Sequence, residues 1–489
     1  MRNCVVSLTT GNICSLLPVA LQTLSCMIIA TLLVFFIPFF SLPFVFRLRQ
    51  RRNSVAFFHP YANDAGGGER VLWFAVSAIL KNDPRTPIVI YTGKTKTETP
   101  ESILTKATVN FGVDLNIQNS NISFIFFRSR PLLEAKYYPF LTLLLQSLGS
   151  MIVAFECLLR YVPNYCIDTM GCSFTYPVFR LLGGVRVGCY VHYPTITTEM
   201  TSLVDAGKES FNNRRIIARS RLLTRLKLYY YRFFSLLYRL SSKATSVVMV
   251  NSSWTWGHVS ELWKMDDVMI VYPPCDTRAM SKLRLNPREN LVVTVAQFRP
   301  EKNHELLLES WALMLERYRD KLKKRGIDLP VLELIGSVRP KDRARVEKLQ
   351  AMINELNLQE SVVIRENLPY IELLDRLQKA KAGLHAMVSE HFGISVVEYM
   401  ASGAIPIAHR SGGPLQDIVV PLPDGSQTGF LCSDADEYAQ SLGTVLLGNW
   451  DHLSLVQIAG RSSVKKFSQE AFVTNFLMSL STSLFFQRD

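Results

Sequence analysis

The chain has 489 residues, 48% of them hydrophobic, with 54 lysines and arginines against 41 acidic residues for a formal charge of +13. That length suits two or more domains and a large core. A uniformly basic protein is excluded, because nine positives fall between Asn213 and Lys243, a stretch without Asp or Glu, and four more are Arg47, Arg49, Arg51 and Arg52. Nine cysteines without a C-x-x-C pair argue against a disulfide framework and fit small buried side chains in a reducing compartment.

Leu24 to Phe46 reads LSCMIIATLLVFFIPFFSLPFVF, uncharged throughout. A membrane helix needs ~20 such residues, and Pro38 and Pro43 are tolerated near its end. The run is too long for the ~7–15-residue apolar core of a signal peptide, and arginines follow it where a cleavage site would lie. Only Arg2 precedes it, so the positive-inside rule makes residues 1–23 a short lumenal segment, 24–46 the anchor, and the rest cytosolic. On that orientation the sequons at Asn121 and Asn251 go unused.

After the anchor, short β-rich runs alternate with helical patterns. Ser54–His59 (SVAFFH) reads as a buried strand, and Glu69–Lys81 as a helix with Leu72, Ala75, Val76 and Ile79 on one stripe. Between them lies NDAGGGER. Gly66, Gly67 and Gly68 allow close backbone approach to a ligand, and a helix start favours an anion. The same pattern suits a plain tight turn, and it matches neither a dinucleotide fingerprint nor a P-loop. Further strands are expected at Ile88–Tyr91, Ile122–Phe127, Cys166–Met170, Val185–Val191 and Val247–Asn251. His192, at the end of one of them in YVHYPTIT, suits either a substrate contact or a structural role.

Two stretches interrupt the alternation. Tyr138–Leu159 is apolar but holds Gln146 and Glu156, which fits a membrane-dipping helix or a buried or interfacial one. Asn213–Lys243 mixes Arg214, Arg215, Arg219, Arg221 and Arg225 with Ile, Leu, Tyr and Phe. A basic amphipathic helix of this kind suits an anionic membrane surface. Nucleic acid is a poorer partner, since no recognised motif accompanies the charge.

A second series of strands begins near Leu291: LVVTVAQF, VLELIGS, VVIREN, AGLHAMV and AIPIAH, with helices at His304–Arg317, Lys341–Leu356 and Ile371–Ala380 between them. Two α/β series joined near Tyr272–Glu289 imply two doubly wound parallel-sheet domains facing a cleft. The boundaries fall at 54–275 and 286–460, with 461–489 a C-terminal helix returning to the first domain. QFRPEK follows the first strand of the second series, so Arg299 and Lys302 stand at the cleft edge. Cations there suit a diphosphate leaving group. In HAMVSEHFGISVVEYMASGAIPIAHRSGG, Glu390 lies at a strand end and Glu398 one turn into the next helix, with Val397 beside it. Phe392, Gly393 and Ile394 would turn amides toward a ligand at the helix start, and Ser411-Gly412-Gly413 makes a further anion-friendly turn.

Glu390-x7-Glu398 followed by MASGAIPIAHRSGG resembles the signature of retaining nucleotide-sugar glycosyltransferases with the two-domain GT-B fold. FHPYANDAGGGERVLW, YVHYPTIT and QFRPEKNH resemble the α-1,2-mannosyltransferases of dolichol-linked oligosaccharide assembly, the precursor of asparagine-linked glycans. The likeness runs from about residue 54 to 460. It implies GDP-mannose as donor, with Glu398 on the ribose, Glu390 and the Phe392–Ile394 amides on the mannose, and Lys302 on the diphosphate. Gly66–Gly68 would cover the diphosphate from the other domain, and His192 would contact the mannose. The family's usual arginine five positions before the lysine is Gln297 here, and Arg299 is displaced from that place. The likeness also implies a dolichol-linked acceptor at the cytosolic face of the endoplasmic reticulum, complexes with other mannosyltransferases of that pathway, and a front-face reaction retaining the α configuration. No metal cofactor is expected, and Asp434-Ala435-Asp436 reads as a helix cap. The rival readings are an N-acetylglucosaminyltransferase acting on phosphatidylinositol and a catalytically silent membrane scaffold of the same fold.

Overall fold

The computed structural model describes residues 41–64, 66–94, 99–113, 115, 121–197, 200, 221–339 and 342–482. Residues 24–40 of the expected anchor lie outside these, as do Arg214, Arg215 and Arg219 and the side chain of Arg221.

Runs of Val, Ile, Phe and Tyr that are apolar on both faces can only be buried strands with helices on either side. Seven such strands build the first lobe: β1 (Arg51–Phe58), β2 (Ile88–Gly93), β3 (Ile122–Phe127), β4 (Pro163–Asp168), β5 (Arg186–Val191), β6 (Val247–Val250) and β7 (Val268–Ile270). They pair in the order β3-β2-β1-β4-β5-β6-β7, all parallel. Six more build the second: β8 (Glu289–Val295), β9 (Val331–Gly336), β10 (Val362–Glu366), β11 (Ala380–His385), β12 (Ile405–His409) and β13 (Phe430–Cys432), in the order β10-β9-β8-β11-β12-β13 and again parallel. The strand order reverses beside β1 and beside β8, which opens a crevice at the carboxyl edge of each sheet. The strands β7 and β13, three residues each, were not expected; a run that short carries no readable period.

The helices that matter to the cleft are α1 (Gly67–Asn82), α2 (Thr142–Arg160), α3 (Arg221–Ser242), α4 (Ser253–Trp263), α5 (Ile394–Ser402), α6 (Ala435–Leu447) and α7 (Gln469–Thr482). The α2 helix is the one among the described residues long and apolar enough to cross a membrane, yet it forms a wall of the first lobe. Val153, Ala154, Cys157 and Leu158 are buried in the core. Gln146 donates to the Leu133 carbonyl, and Glu156 accepts from the backbone N–H groups of Arg128 and Ser129 at 2.9 and 3.0 Å. Gln146 and Glu156 therefore clasp a loop of the lobe, while Leu145, Leu148 and Ile152 on the same helix stay exposed. Residues 41–48 are helical, and Phe46 is buried in the same core, its ring edge-on to Phe155.

The chain crosses between lobes twice. Cys275 N–H donates to the Phe467 carbonyl at 2.9 Å, and the Phe467 ring meets Tyr272 and Phe392 edge-on. The α7 helix then lies on the first lobe, where Phe472, Phe476 and Leu480 are fully buried. The six described cysteines are all free, and five are buried. Asn251 of one sequon is buried and donates to the His192 carbonyl at 2.9 Å, so a glycan there would break the fold. Phe476→Ala should destabilise the first lobe by about 3–5 kcal/mol, the usual cost of emptying a buried phenylalanine site. Urea unfolding followed by first-lobe hydrogen exchange checks this; an unchanged midpoint would mean that α7 contributes nothing to that core.

Candidate active site

On the first-lobe side, β1 delivers His59 and β5 delivers His192, while Gly66–Gly68 lead into α1 at the same edge. The Gly66 N–H donates to Glu69 Oε2 at 2.7 Å, and Glu69 Oε1 sits 3.2 Å from His59 Nε2. His59 Nδ1 in turn lies 2.7 Å from the Thr169 hydroxyl. Burial raises the Glu69 carboxyl, but His59 and the Gly66 amide outweigh it and leave it below its ordinary value. The glycine loop is thus held by a carboxylate that remains ionised. Gly68 lies directly over the two histidines: a Cβ built there would stand 3.7 Å from His192 Nε2 and 3.9 Å from the His59 ring. Burial, with nearby His59 adding to it, pushes His192 down to about 4, so the ring is neutral at pH 7. Its Nε2 is buried and has no hydrogen-bond partner among the described residues.

On the second-lobe side, β11 ends at His385 and the chain turns through Ser389 (φ 53°) and Gly393 (φ 111°) into α5. Glu390 Oε2 lies 2.5 Å from Lys302 Nζ and 3.0 Å from His385 Nε2. Burial would raise this carboxyl, but the Lys302 charge and the His385 hydrogen bond hold it well below the usual carboxylate range. Glu398, one turn into α5, faces the other lobe: its Oε1 is 3.4 Å from Arg70 Nη1. Burial pushes the Glu398 carboxyl up, and Arg70 only partly offsets this.

Four of the residues singled out from sequence line one cavity of about 340 Å³: Gly66 and Gly67 from the first lobe, Ile394 and Glu398 from the second. Gln297, Ser337, Ser395, Arg70 and Phe111 line it too. The neighbours of Glu390 and His192 also meet across the cleft, since the His391 and Tyr193 rings stand 4.3 Å apart. A second cavity, about 250 Å³, lies at the carboxyl ends of β1 and β4 beneath α2, with Tyr61, Gln146, Ser150, Ser173 and Thr195 on its walls. A larger one, near 750 Å³, opens by Asn82 and Arg85 at the opposite edge of the first sheet, away from both carboxyl ends.

Two expectations need correction. Val397 is fully buried in the second-lobe core and is not among the residues lining the cavity. Ser411-Gly412-Gly413 is a structural support: a Cβ on Gly412 or Gly413 would collide with the Glu390 or Phe392 carbonyl at 2.2 Å, and Gly413 N–H donates to the Glu390 carbonyl. Arg299 sits 3.8 Å from Glu301 and, like Lys302, Glu390, His192 and Gly68, is not among the described residues lining the 340 Å³ cavity. Phe392 is buried against Tyr272, so only its backbone can serve a ligand. Asp434 accepts from the Glu437 N–H and caps α6, while Asp436 pairs with Arg317.

Sequence reasoning missed several groups. Glu69 and Arg70 adjoin the glycine triplet, and His385 precedes Glu390 by five positions, so proximity to a motif could have flagged them. Asp417 carried no such signal. It accepts from the Ser253 N–H and hydroxyl at the start of α4, and from the Tyr272 hydroxyl, which ties the second lobe to the first.

The family described as ALG11 mannosyltransferase N-terminus matches residues 52–263, and that described as Glycosyl transferases group 1 matches residues 276–455. The GDP-Man:Man(3)GlcNAc(2)-PP-Dol alpha-1,2-mannosyltransferase of Xenopus laevis is 43% identical over 88% of this chain and 87% of its own length. The human protein of that name is 42% identical over 87% and 86%, and that of Dictyostelium discoideum 40% over 87% and 83%. Among solved structures, Anabaena Alr3699/HepE in complex with UDP and glucose superposes with a TM-score of 0.57 at 14% identity, over 88% of this chain and all of that one. Sucrose-phosphate synthase of Thermosynechococcus elongatus superposes at 0.60 with 17% identity, over 89% and 99%. These two share the GT-B architecture of paired parallel-sheet lobes. With the sequence likeness running through both lobes, this chain belongs to the family of GDP-Man:Man(3)GlcNAc(2)-PP-Dol alpha-1,2-mannosyltransferases.

Proposed function

We propose that this enzyme transfers mannose from GDP-mannose to a dolichol-diphosphate-linked oligosaccharide, forming an α-1,2 linkage with retention. The observation that carries the reading is the meeting of the two lobes at one cleft: Gly66 and Gly67 share a cavity with Ile394 and Glu398, Arg70 reaches Glu398, and Tyr193 beside His192 meets His391 beside Glu390. The relatives named for this reaction span nearly the whole chain.

In this reading Glu398 accepts hydrogen bonds from the ribose hydroxyls of GDP. Glu390 accepts from mannose hydroxyls through the carboxylate that Lys302 and His385 keep ionised. The diphosphate lies against the Ile394 and Ser395 amides at the start of α5, where a helix favours an anion. When the bond between the mannose carbon and the diphosphate oxygen breaks, negative charge grows on GDP, and Lys302 stabilises it. The acceptor hydroxyl forms the new bond from the same face and gives its proton to the departing diphosphate oxygen. His192, neutral and with an open Nε2, suits a hydrogen bond to the sugar beside that carbon. The cavity beneath α2, with Pro60, Tyr61 and Thr195 on its walls, offers the acceptor an approach from the first lobe.

The first lobe also carries the features of a bilayer contact, which we place at the cytosolic face of the endoplasmic reticulum. Along α3, Leu222, Leu226, Tyr229, Phe233, Leu236 and Leu240 form one exposed stripe opposite the buried Tyr231, Phe234 and Tyr238. Arg225, Arg232 and Arg239, exposed at seven-residue spacing, follow one edge of that stripe. An apolar stripe left outside a folded lobe and edged by cations suits insertion among anionic headgroups. Phe44, Val45 and Leu48, and Leu145, Leu148 and Ile152 on α2, are exposed as well.

Purified full-length protein should transfer mannose from GDP-mannose to Man(3)GlcNAc(2)-diphosphate-dolichol, giving a product sensitive to an α-1,2-mannosidase. Lys302→Ala should lower kcat on the order of 100-fold or more, the usual loss when a charge-stabilising group is removed. Use of UDP-N-acetylglucosamine with phosphatidylinositol in place of these substrates would contradict the assignment. In liposomes, replacing Leu226, Phe233 and Leu236 together by Ser should reduce transfer to the lipid-linked acceptor and spare a water-soluble analogue; equal loss on both would remove the bilayer contact.

A further inference from the structure

We propose that Arg70 is the first lobe's donor-binding cation, which leaves Glu398 when the sugar nucleotide binds and donates instead to a diphosphate oxygen. The inference rests on the reading of the donor as a nucleoside-diphosphate sugar. Arg70 stands in the first turn of α1, directly after the glycine loop, and its side chain is only 16% exposed. The guanidinium carbon lies 5.9 Å from the centre of the Phe111 ring, which backs it against the cavity wall.

Charge inside the cavity makes the case. Of the described residues lining it, Arg70 is the single cation and Glu398 the single anion, so without ligand the two cancel. A sugar nucleotide brings two further negative charges and a ribose diol. The diol engages Glu398, since a carboxylate accepts from both hydroxyls, and that removes the partner Arg70 has in this structure. Among the described residues the second lobe adds no cation at this wall: Gln297 is neutral, and Arg299, beside Glu301, and Lys302, beside Glu390, do not line it. The Arg70–Glu398 contact is a single one at 3.4 Å, leaving other guanidinium N–H groups able to reach a phosphate. Because Arg70 and Glu398 belong to different lobes, one ligand engaging both draws the lobes together.

The test is competition against labelled GDP-mannose on the full-length enzyme, with GDP and guanosine as inhibitors. Arg70→Gln should weaken GDP by about tenfold or more, the scale of a lost charge-assisted hydrogen bond, and leave guanosine unchanged. Arg70→Lys should recover part of the loss. Glu398→Gln should weaken both inhibitors alike. An Arg70→Gln enzyme of unaltered melting temperature that binds GDP normally, or that loses guanosine as much as GDP, would overturn the proposal; in the latter case Arg70 acts only through Glu398. A wild-type enzyme inhibited by UDP and not by GDP would sink the donor reading instead, and the same comparison would then run with UDP against uridine.

Discussion

Lys302 and Glu390 form a contact of 2.5 Å at the carboxyl edge of the second sheet, and much of the site follows from it. A carboxylate taken out of water is costly unless a cation stays beside it. Lys302 meets that need, and His385 adds a hydrogen bond on the same oxygen. Glu390 is consequently ionised at any working pH, which is what a group accepting sugar hydroxyls requires. The same pairing keeps a cation in place before the leaving group exists, so little rearrangement remains at the moment of transfer.

The backbone around this pair is shaped to hold it. Ser389 and Gly393 both take positive φ, and Gly412 and Gly413 approach the Glu390–Phe392 carbonyls too closely for any side chain. Across the cleft, Glu69 plays a comparable part for the glycine loop by bonding the Gly66 amide and His59 together. The lobes are joined by Asp417, which takes three hydrogen bonds from the first lobe and the crossing segment, and by the Tyr272–Phe392–Phe467 rings. The proposed site depends on such ties, since Glu390 and the glycine loop belong to different lobes.

Much of this was legible in the residues. Parallel strands buried on both faces read as continuous apolar runs, so the two α/β series and most of their strands could be placed within a few positions. Glu390, Glu398, Lys302 and the glycine triplet stood out because their spacing puts them at strand ends and helix starts. What did not show was partnership. Nothing in QFRPEK says that Lys302 pairs with a residue 88 positions later, nor does NDAGGGER say that Arg70 reaches Glu398 across 328. The packing of α2 was also hidden, because nothing in its sequence says that Gln146 and Glu156 bond a loop carbonyl and loop amides of the first lobe. Along α3 the basic residues drew the eye, whereas the larger exposed feature is the apolar stripe beside them.

The central claim is that one sugar nucleotide bridges both lobes, its charge shared between side chains and amides of each. A structure of the full-length protein with an unreactive fluorinated GDP-mannose tests it most directly. The account predicts ribose hydroxyls on Glu398, the mannose on Glu390, and the diphosphate between Lys302 and the Gly66–Gly68 loop. A donor held by one lobe alone, or seated away from Glu390 and Glu398, would contradict it.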